Sequence, residues 1–136
     1  MHWTEAEYLA YQRRVEDRHP DTLFEPTEAT FLAEVRSLAK QQGWLGFHTH
    51  DARGSDPGFP DCVFVLPPGL RHPGRLIFAE LKVKSGKLTT EQARWITFLQ
   101  KVQSIECYVW YPRDWDDILK ILDPSYNKAT VLLAPE

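Results

Sequence analysis

The chain predicts an α/β fold, a central mixed four-stranded sheet flanked by helices, with its core elements in the order helix, three strands, helix, strand, helix. Three observations predict it. Apolar runs at 44–49, 62–66, 75–84 and 106–111 have strand length and are bounded by turn residues, helix starts or stops. Segments with helical spacing and capping signals lie before the first run, between the third and fourth, and after the fourth. The second and third runs are joined only by Pro67-Pro68-Gly69 through Pro73-Gly74, so they can pair antiparallel, whereas a helix between the third and fourth implies a right-handed parallel crossover.

Taken in order, Thr4 with Glu7 forms a capping-box signal, and residues 3–18 read as an amphipathic helix closed by His19-Pro20-Asp21. A second helix spans 27–42, with Phe31, Leu32, Val35 and Leu38 on one stripe and Gly43 as its stop. The first strand follows at 44–49, the second at 62–66 and the third at 75–84. Thr89 and Gln92 form another capping box, opening a helix whose apolar stripe is Ala93, Ile96, Leu99 and Val102. The fourth strand at 106–111 leads into a helix at 114–122. Trp44, Trp95 and Trp110 fall in core-like patterns and read as packing residues. The expected organisation is an N-terminal helical extension (1–24), a main α/β domain (25–122) and a C-terminal tail (123–136).

A chain of 136 residues buries one core rather than two. Cys62 and Cys107 sit inside apolar runs and read as small core residues, not a disulfide framework. The N-terminus shows no apolar signal region, and no stretch approaches the roughly 20 apolar residues of a membrane span. A cytoplasmic protein is expected. The formal charge of −3 argues against a nucleic-acid partner, but its distribution does not. Residues 71–101 carry Arg71, Arg75, Lys82, Lys84, Lys87, Arg94 and Lys101 against Glu80 and Glu91, while the acidic excess lies toward the two ends. A basic face on an acidic protein is still an electrostatic patch.

The third strand holds the feature that points to chemistry. Alternation puts Glu80 and Lys82 on one face and Ala79, Leu81 and Val83 on the other, so two opposite charges interrupt a buried strand. An edge strand with a solvated ion pair would look the same. Burying an unpaired carboxylate costs on the order of several kcal/mol, so a partner is required, and a metal ion is one. Asp61, opening the second strand, would supply a second hard oxygen ligand; with the Lys82 ammonium this is a minimal set for Mg²⁺-assisted phosphodiester hydrolysis.

The stretch from His48 to Asp61, ending Pro57-Gly58-Phe59-Pro60-Asp61, then Phe78-Ala79-Glu80-Leu81-Lys82 and Gly86 through Gln92, resembles the VRR-NUC family, the virus-type replication and repair nucleases of the PD-(D/E)XK superfamily. The resemblance runs from about Glu28 to about Leu122 and implies a restriction-endonuclease-like core. It matches Asp61 to the family's Asp, Glu80 and Lys82 to its Glu-x-Lys, Gln92 to the Gln of the following helix, and Glu28 to the acidic residue of the first core helix. Glu25 or Glu34 takes that last role if the helix starts elsewhere, and Glu28 also suits the positive end of a helix dipole.

Mg²⁺ or Mn²⁺ held by Asp61, Glu80 and the Leu81 carbonyl, with DNA as substrate, is what the resemblance implies. Arg53 and Ser55, with His48 and His50 and the basic residues Lys84, Lys87 and Arg94, are the candidate nucleic-acid contacts. His48-x-His50 followed by Asp51 also suggests a zinc hydrolase, but the spacing departs from that pattern. Stand-alone phage or bacterial relatives imply a homodimer acting on branched DNA such as a Holliday junction. The 3–18 helix is a candidate for the dimer interface, or packs on its own core. A non-catalytic binding module of the same fold, and a nuclease acting on RNA or DNA ends, remain the alternatives.

Overall fold

A computed structural model describes residues 25–49, 56–70 and 72–127, together with Ala6, which is helical. The rest of the expected 3–18 helix, His50, Arg53, Ser55, Arg71 and residues 128–136 lie outside the described residues.

Helix α1 (Glu28–Gln41) starts where the Thr27 hydroxyl accepts the Thr30 N–H at 3.1 Å. It stops at Gly43, whose φ of +96° is a backbone state glycine adopts without a side-chain clash. There Gly43 N–H donates to the Lys40 carbonyl and Trp44 N–H to that of Ala39, the paired bonds of a Schellman motif. Trp44 thereby enters the core, where its indole N–H donates to the Leu122 carbonyl at 2.8 Å.

Strands β1 (Leu45–His48), β2 (Cys62–Leu66), β3 (Arg75–Leu81) and β4 (Glu106–Trp110) form one sheet in that spatial order. The first two pairings are antiparallel, and β4 joins β3 in parallel after helix α2 (Thr90–Gln100). A single 3₁₀ turn at Pro112–Asp114 leads into helix α3 (Trp115–Leu122). The mixed four-stranded α/β sheet expected from the sequence is the one observed. Its third strand is shorter than expected, ending at Leu81 rather than residue 84. Lys82 N–H still reaches the Trp110 carbonyl at 2.9 Å, but Lys84 turns to φ +55° and Gly86 N–H closes onto the Val83 carbonyl.

Register sorts the side chains onto two faces. Cys62, Phe64 and Leu66 of β2 and Ile77, Ala79 and Leu81 of β3 turn toward Phe31, Val35 and Leu38 of α1 and Ile118 and Leu122 of α3. Burial of each large side chain here contributes roughly 1.5–3 kcal/mol. The other face presents Val63, Phe78 and Glu80, and α2 lies on this side. Ile96 is the one buried residue of α2. Val102, expected on its stripe, falls beyond the helix end and is exposed. Farther across the sheet, on β1 and β2, Leu45 is 68%, Phe47 61% and Val65 41% exposed.

Arg75 does not belong to the basic surface that the sequence suggested. Its guanidinium lies 4.9 Å from the Trp44 ring centroid and 5.0 Å from that of Tyr126, and makes paired hydrogen bonds of 2.7 and 2.6 Å to Glu106. Burial, then the hydrogen bond and charge of Glu106, push the Tyr108 hydroxyl well above the usual phenol range.

Candidate active site

Asp61 immediately precedes β2. Since Cys62 pairs with Ala79, continuing the antiparallel register by one position brings Asp61 opposite Glu80, on the face toward α2. The Asp61 backbone is held by Thr49, whose N–H donates to the Asp61 carbonyl at 3.0 Å. One oxygen of its side chain, Oδ2, accepts the Leu81 N–H at 2.9 Å. This leaves the other carboxylate oxygen for the site.

Glu80 is only 2% exposed, and its Oε2 is buried without a donor. Two carboxyl groups meet here, and they can hydrogen-bond only when one of them carries a proton to donate. Burial first, then the hydrogen bond to Asp61 and its negative charge, push the Glu80 carboxyl up to about 9; Glu28 raises it further and Lys82 opposes. Glu28 is solvent-exposed on the first turn of α1, and its negative charge is the smallest of the influences that raise Glu80.

Gln92 arrives from the first turn of α2, where a capping box fixes it. Thr89 Oγ1 accepts the Gln92 N–H at 3.1 Å, and the Gln92 amide oxygen accepts the Thr89 N–H at 2.9 Å. With its oxygen committed to the cap, the amide has only its NH₂ to offer, and this donates to Glu80 Oε1 over 3.4 Å. One sequence signal thus serves both helix initiation and the site.

The loop before Asp61 is locked to the same helix by contacts that no local motif announces. Phe59 packs edge-on against both Phe78 and Trp95, and the Trp95 indole N–H donates to the Pro57 carbonyl at 3.1 Å. Trp95 is therefore a clamp on the loop rather than a core residue. Gly58 has a φ of +87°, and a Cβ there would stand 2.4 Å from the Glu91 carbonyl carbon and 2.7 Å from Gln92 N. The glycine before the motif's Phe-Pro-Asp was the available clue. We expect Gly58→Ala to push the loop off α2, separating Asp61 from Gln92. Combining left-handed backbone strain of roughly 1–2 kcal/mol with a backbone collision, it should lower the melting temperature and reduce cleavage at least about tenfold. Wild-type melting and turnover would sink this account of the loop.

Lys84 and Lys87 are exposed on the loop after β3, whose Gly86 carbonyl accepts the Tyr111 hydroxyl at 2.7 Å, and Arg94 is exposed on α2. His48 sits half-buried at the end of β1, opposite Cys62; its companions in the predicted contact set, His50, Arg53 and Ser55, fall outside the described residues. Cys62 and Cys107 are free thiols, pushed up to about 12 and about 11 chiefly by burial, as befits inert packing residues.

Among the described residues, no three His, Cys, Asp or Glu side chains gather as a metal cluster. Mg²⁺ does not require one, because it is commonly held by one or two carboxylates and keeps several waters. Two hard carboxylates forced together, with one buried oxygen lacking a donor, suit such an ion.

The VRR-NUC domain model matches residues 4–111, most of the chain. The chain belongs to the VRR-NUC domain family. Membership makes it a member of a nuclease family, and the match spans Glu28, Asp61, Glu80, Lys82 and Gln92. In this VRR-NUC domain the match also takes in residues 4–24, beyond the stretch where the sequence motifs lie. No curated protein and no solved structure gives a match.

Proposed function

We propose that this VRR-NUC domain is a Mg²⁺- or Mn²⁺-dependent endonuclease that hydrolyses DNA phosphodiester bonds, acting as a homodimer on branched DNA such as a Holliday junction. The observation that supports the chemistry most is the Asp61–Glu80 pair, with Glu80 Oε2 buried and lacking a donor. Asp61, Glu80 and the Leu81 carbonyl would hold the cation. When bound, it supplies charge neutralisation at the scissile phosphate and acidifies a water.

The chain's own residues do the remainder. Leu81 N–H orients the Asp61 carboxylate, and the capped Gln92 amide orients Glu80. Lys82 brings a positive charge next to Glu80 and is the candidate for positioning the attacking water or countering charge on the phosphate oxygens. Glu28 extends the acidic site from α1, while Lys84, Lys87 and Arg94, with His48, His50, Arg53 and Ser55, are the proposed nucleic-acid contacts. Residues 25–122 form the proposed nuclease unit, with 1–24 an N-terminal helical extension and 123–136 a C-terminal tail. Among the described residues no helix is long and apolar enough to cross a membrane, and a cytoplasmic location is proposed.

The homodimer draws support from the apolar surface at Leu45, Phe47 and Val65, because a short apolar edge strand needs a cover. A second copy related by a two-fold axis would present two equivalent sites to two equivalent junction strands. The deciding experiment is a cleavage panel of duplex, flap, single-stranded and four-way-junction DNA, and RNA, with Mg²⁺, Mn²⁺ and EDTA. Junction cleavage that needs an added ion is expected, with linear duplex cut more slowly. No cleavage with either ion would point to a binding module, and equal rates on junction and duplex would remove the substrate claim. Sedimentation should give a dimer that Phe47→Asp disrupts; a wild-type monomer at micromolar concentration, with and without junction DNA, would remove the dimer.

A further inference from the structure

We propose that the outer face of α2, centred on Phe98, is a stacking platform for an unpaired base of the DNA substrate, with Arg94 and Lys101 engaging the neighbouring phosphates. This rests on the nuclease reading above and specifies which substrates the site prefers. Phe98 is 57% exposed, an uncommon position for a phenyl ring. Arg94, Phe98 and Lys101 follow one another at helical spacing, with the guanidinium carbon 6.0 Å and the ammonium 5.6 Å from the ring centroid.

Neither cation makes an ion pair among the described residues. Covering this face with an apolar protein surface would strip water from two charges without a counter-charge, whereas a phosphate backbone neutralises both. Beside the ring lies a groove of about 530 Å³ whose lining includes Pro57, Trp95, Leu99 and Val102. That lies within the roughly 300–1,000 Å³ range of pockets that take small organic ligands, so it has room for a base and its sugar. Glu91 and Asp56 border the groove too; they repel phosphate, leaving the stretch from Arg94 to Lys101 as the favoured path for the backbone.

The position suits the chemistry. Phe98 lies six residues beyond Gln92 on the same helix, about 9 Å along its axis and about a third of a turn around it, so the ring stands at least two to three base steps of roughly 3.4 Å from the Gln92 side chain. A base unstacked at a branch point or single-stranded end a few nucleotides from the scissile phosphate would reach the ring, while bases within a continuous duplex would not. The platform therefore favours branched or overhanging DNA over blunt duplex.

Fluorescence anisotropy in EDTA, with a duplex carrying an oligo-dT overhang and a blunt duplex of equal length, tests this without turnover. Phe98→Ala should weaken overhang binding about tenfold or more and blunt-duplex binding by less than about twofold, with Phe98→Trp restoring affinity. Lys101→Ala should lower the salt dependence by about one phosphate contact. Undiminished overhang binding by Phe98→Ala, an equal loss on both probes, or a dimer-to-monomer change caused by Phe98→Ala would overturn the proposal. If wild-type protein bound neither probe, the platform would fall while the cleavage panel still decides the nuclease reading; wild-type binding that Phe98→Ala leaves intact would likewise remove the platform alone.

Discussion

Glu80→Gln is expected to reduce cleavage at least about a hundredfold while the protein remains folded, and Asp61→Asn and Lys82→Ala should do likewise. The two amides keep the size and planarity of the acids but remove the negative charge that would hold a cation. The amide introduced by Asp61→Asn retains an oxygen to accept the Leu81 N–H, so the end of β3 keeps its geometry. The amide introduced by Glu80→Gln can turn its NH₂ toward Asp61, giving the buried position a donor in place of a shared proton. Lys82→Ala removes a half-buried cation at the site and no backbone bond, since the Lys82 N–H to Trp110 persists. The measurement is single-turnover cleavage of a junction at saturating Mg²⁺, with circular dichroism to verify folding. Wild-type turnover by Glu80→Gln at matched metal would mean that the site has been assigned to the wrong residues.

Much of this arrangement was readable in the sequence because it rests on local rules. Period-two alternation separated Glu80 from Ala79 and Leu81, and the face it assigned is the one turned toward α2. Thr89 and Gln92 marked a helix start whose side chains form the capping box as expected. Gly43 marked the end of α1 and takes the left-handed conformation that end needs. Non-local features were not readable. Whether Arg75 faces water or Glu106 depends on β3 and β4 lying side by side in parallel, which no window around Arg75 contains. The role of Gly58 depends on a collision with α2, 33 residues later at Glu91. Val102 was expected on the apolar stripe of α2, but it falls beyond the helix end and stays exposed, and the sheet buries only Ile96 of that helix.

Without metal, the wild-type protein should lose stability as pH rises from about 5 to about 9, and Glu80→Gln should lose much less. In the unfolded chain the Glu80 carboxyl ionises near its ordinary 4.5, whereas in the folded protein it holds its proton up to about 9. Below 4.5 both states carry the proton and this group contributes its full stability. Between the two values the unfolded state releases a proton that the folded state retains, so stability falls steadily and levels off above the folded value. The groups facing Glu80 are Asp61, Glu28 and Lys82, and Asp61 is the strongest of them, so Asp61→Asn should shorten the window by lowering the folded value. Across the window the loss is on the order of a few kcal/mol, or roughly 10 °C in melting temperature. Thermal melts in EDTA at about pH 5.5 and about pH 8.5 would measure it, with the difference between wild type and Glu80→Gln cancelling the titration of the rest of the chain. Added Mg²⁺ should restore wild type at the higher pH far more than Glu80→Gln, because an ion binds the ionised pair and favours the state in which both carboxylates are charged. Parallel pH profiles for the two proteins would show that Glu80 and Asp61 do not share a proton in the folded chain.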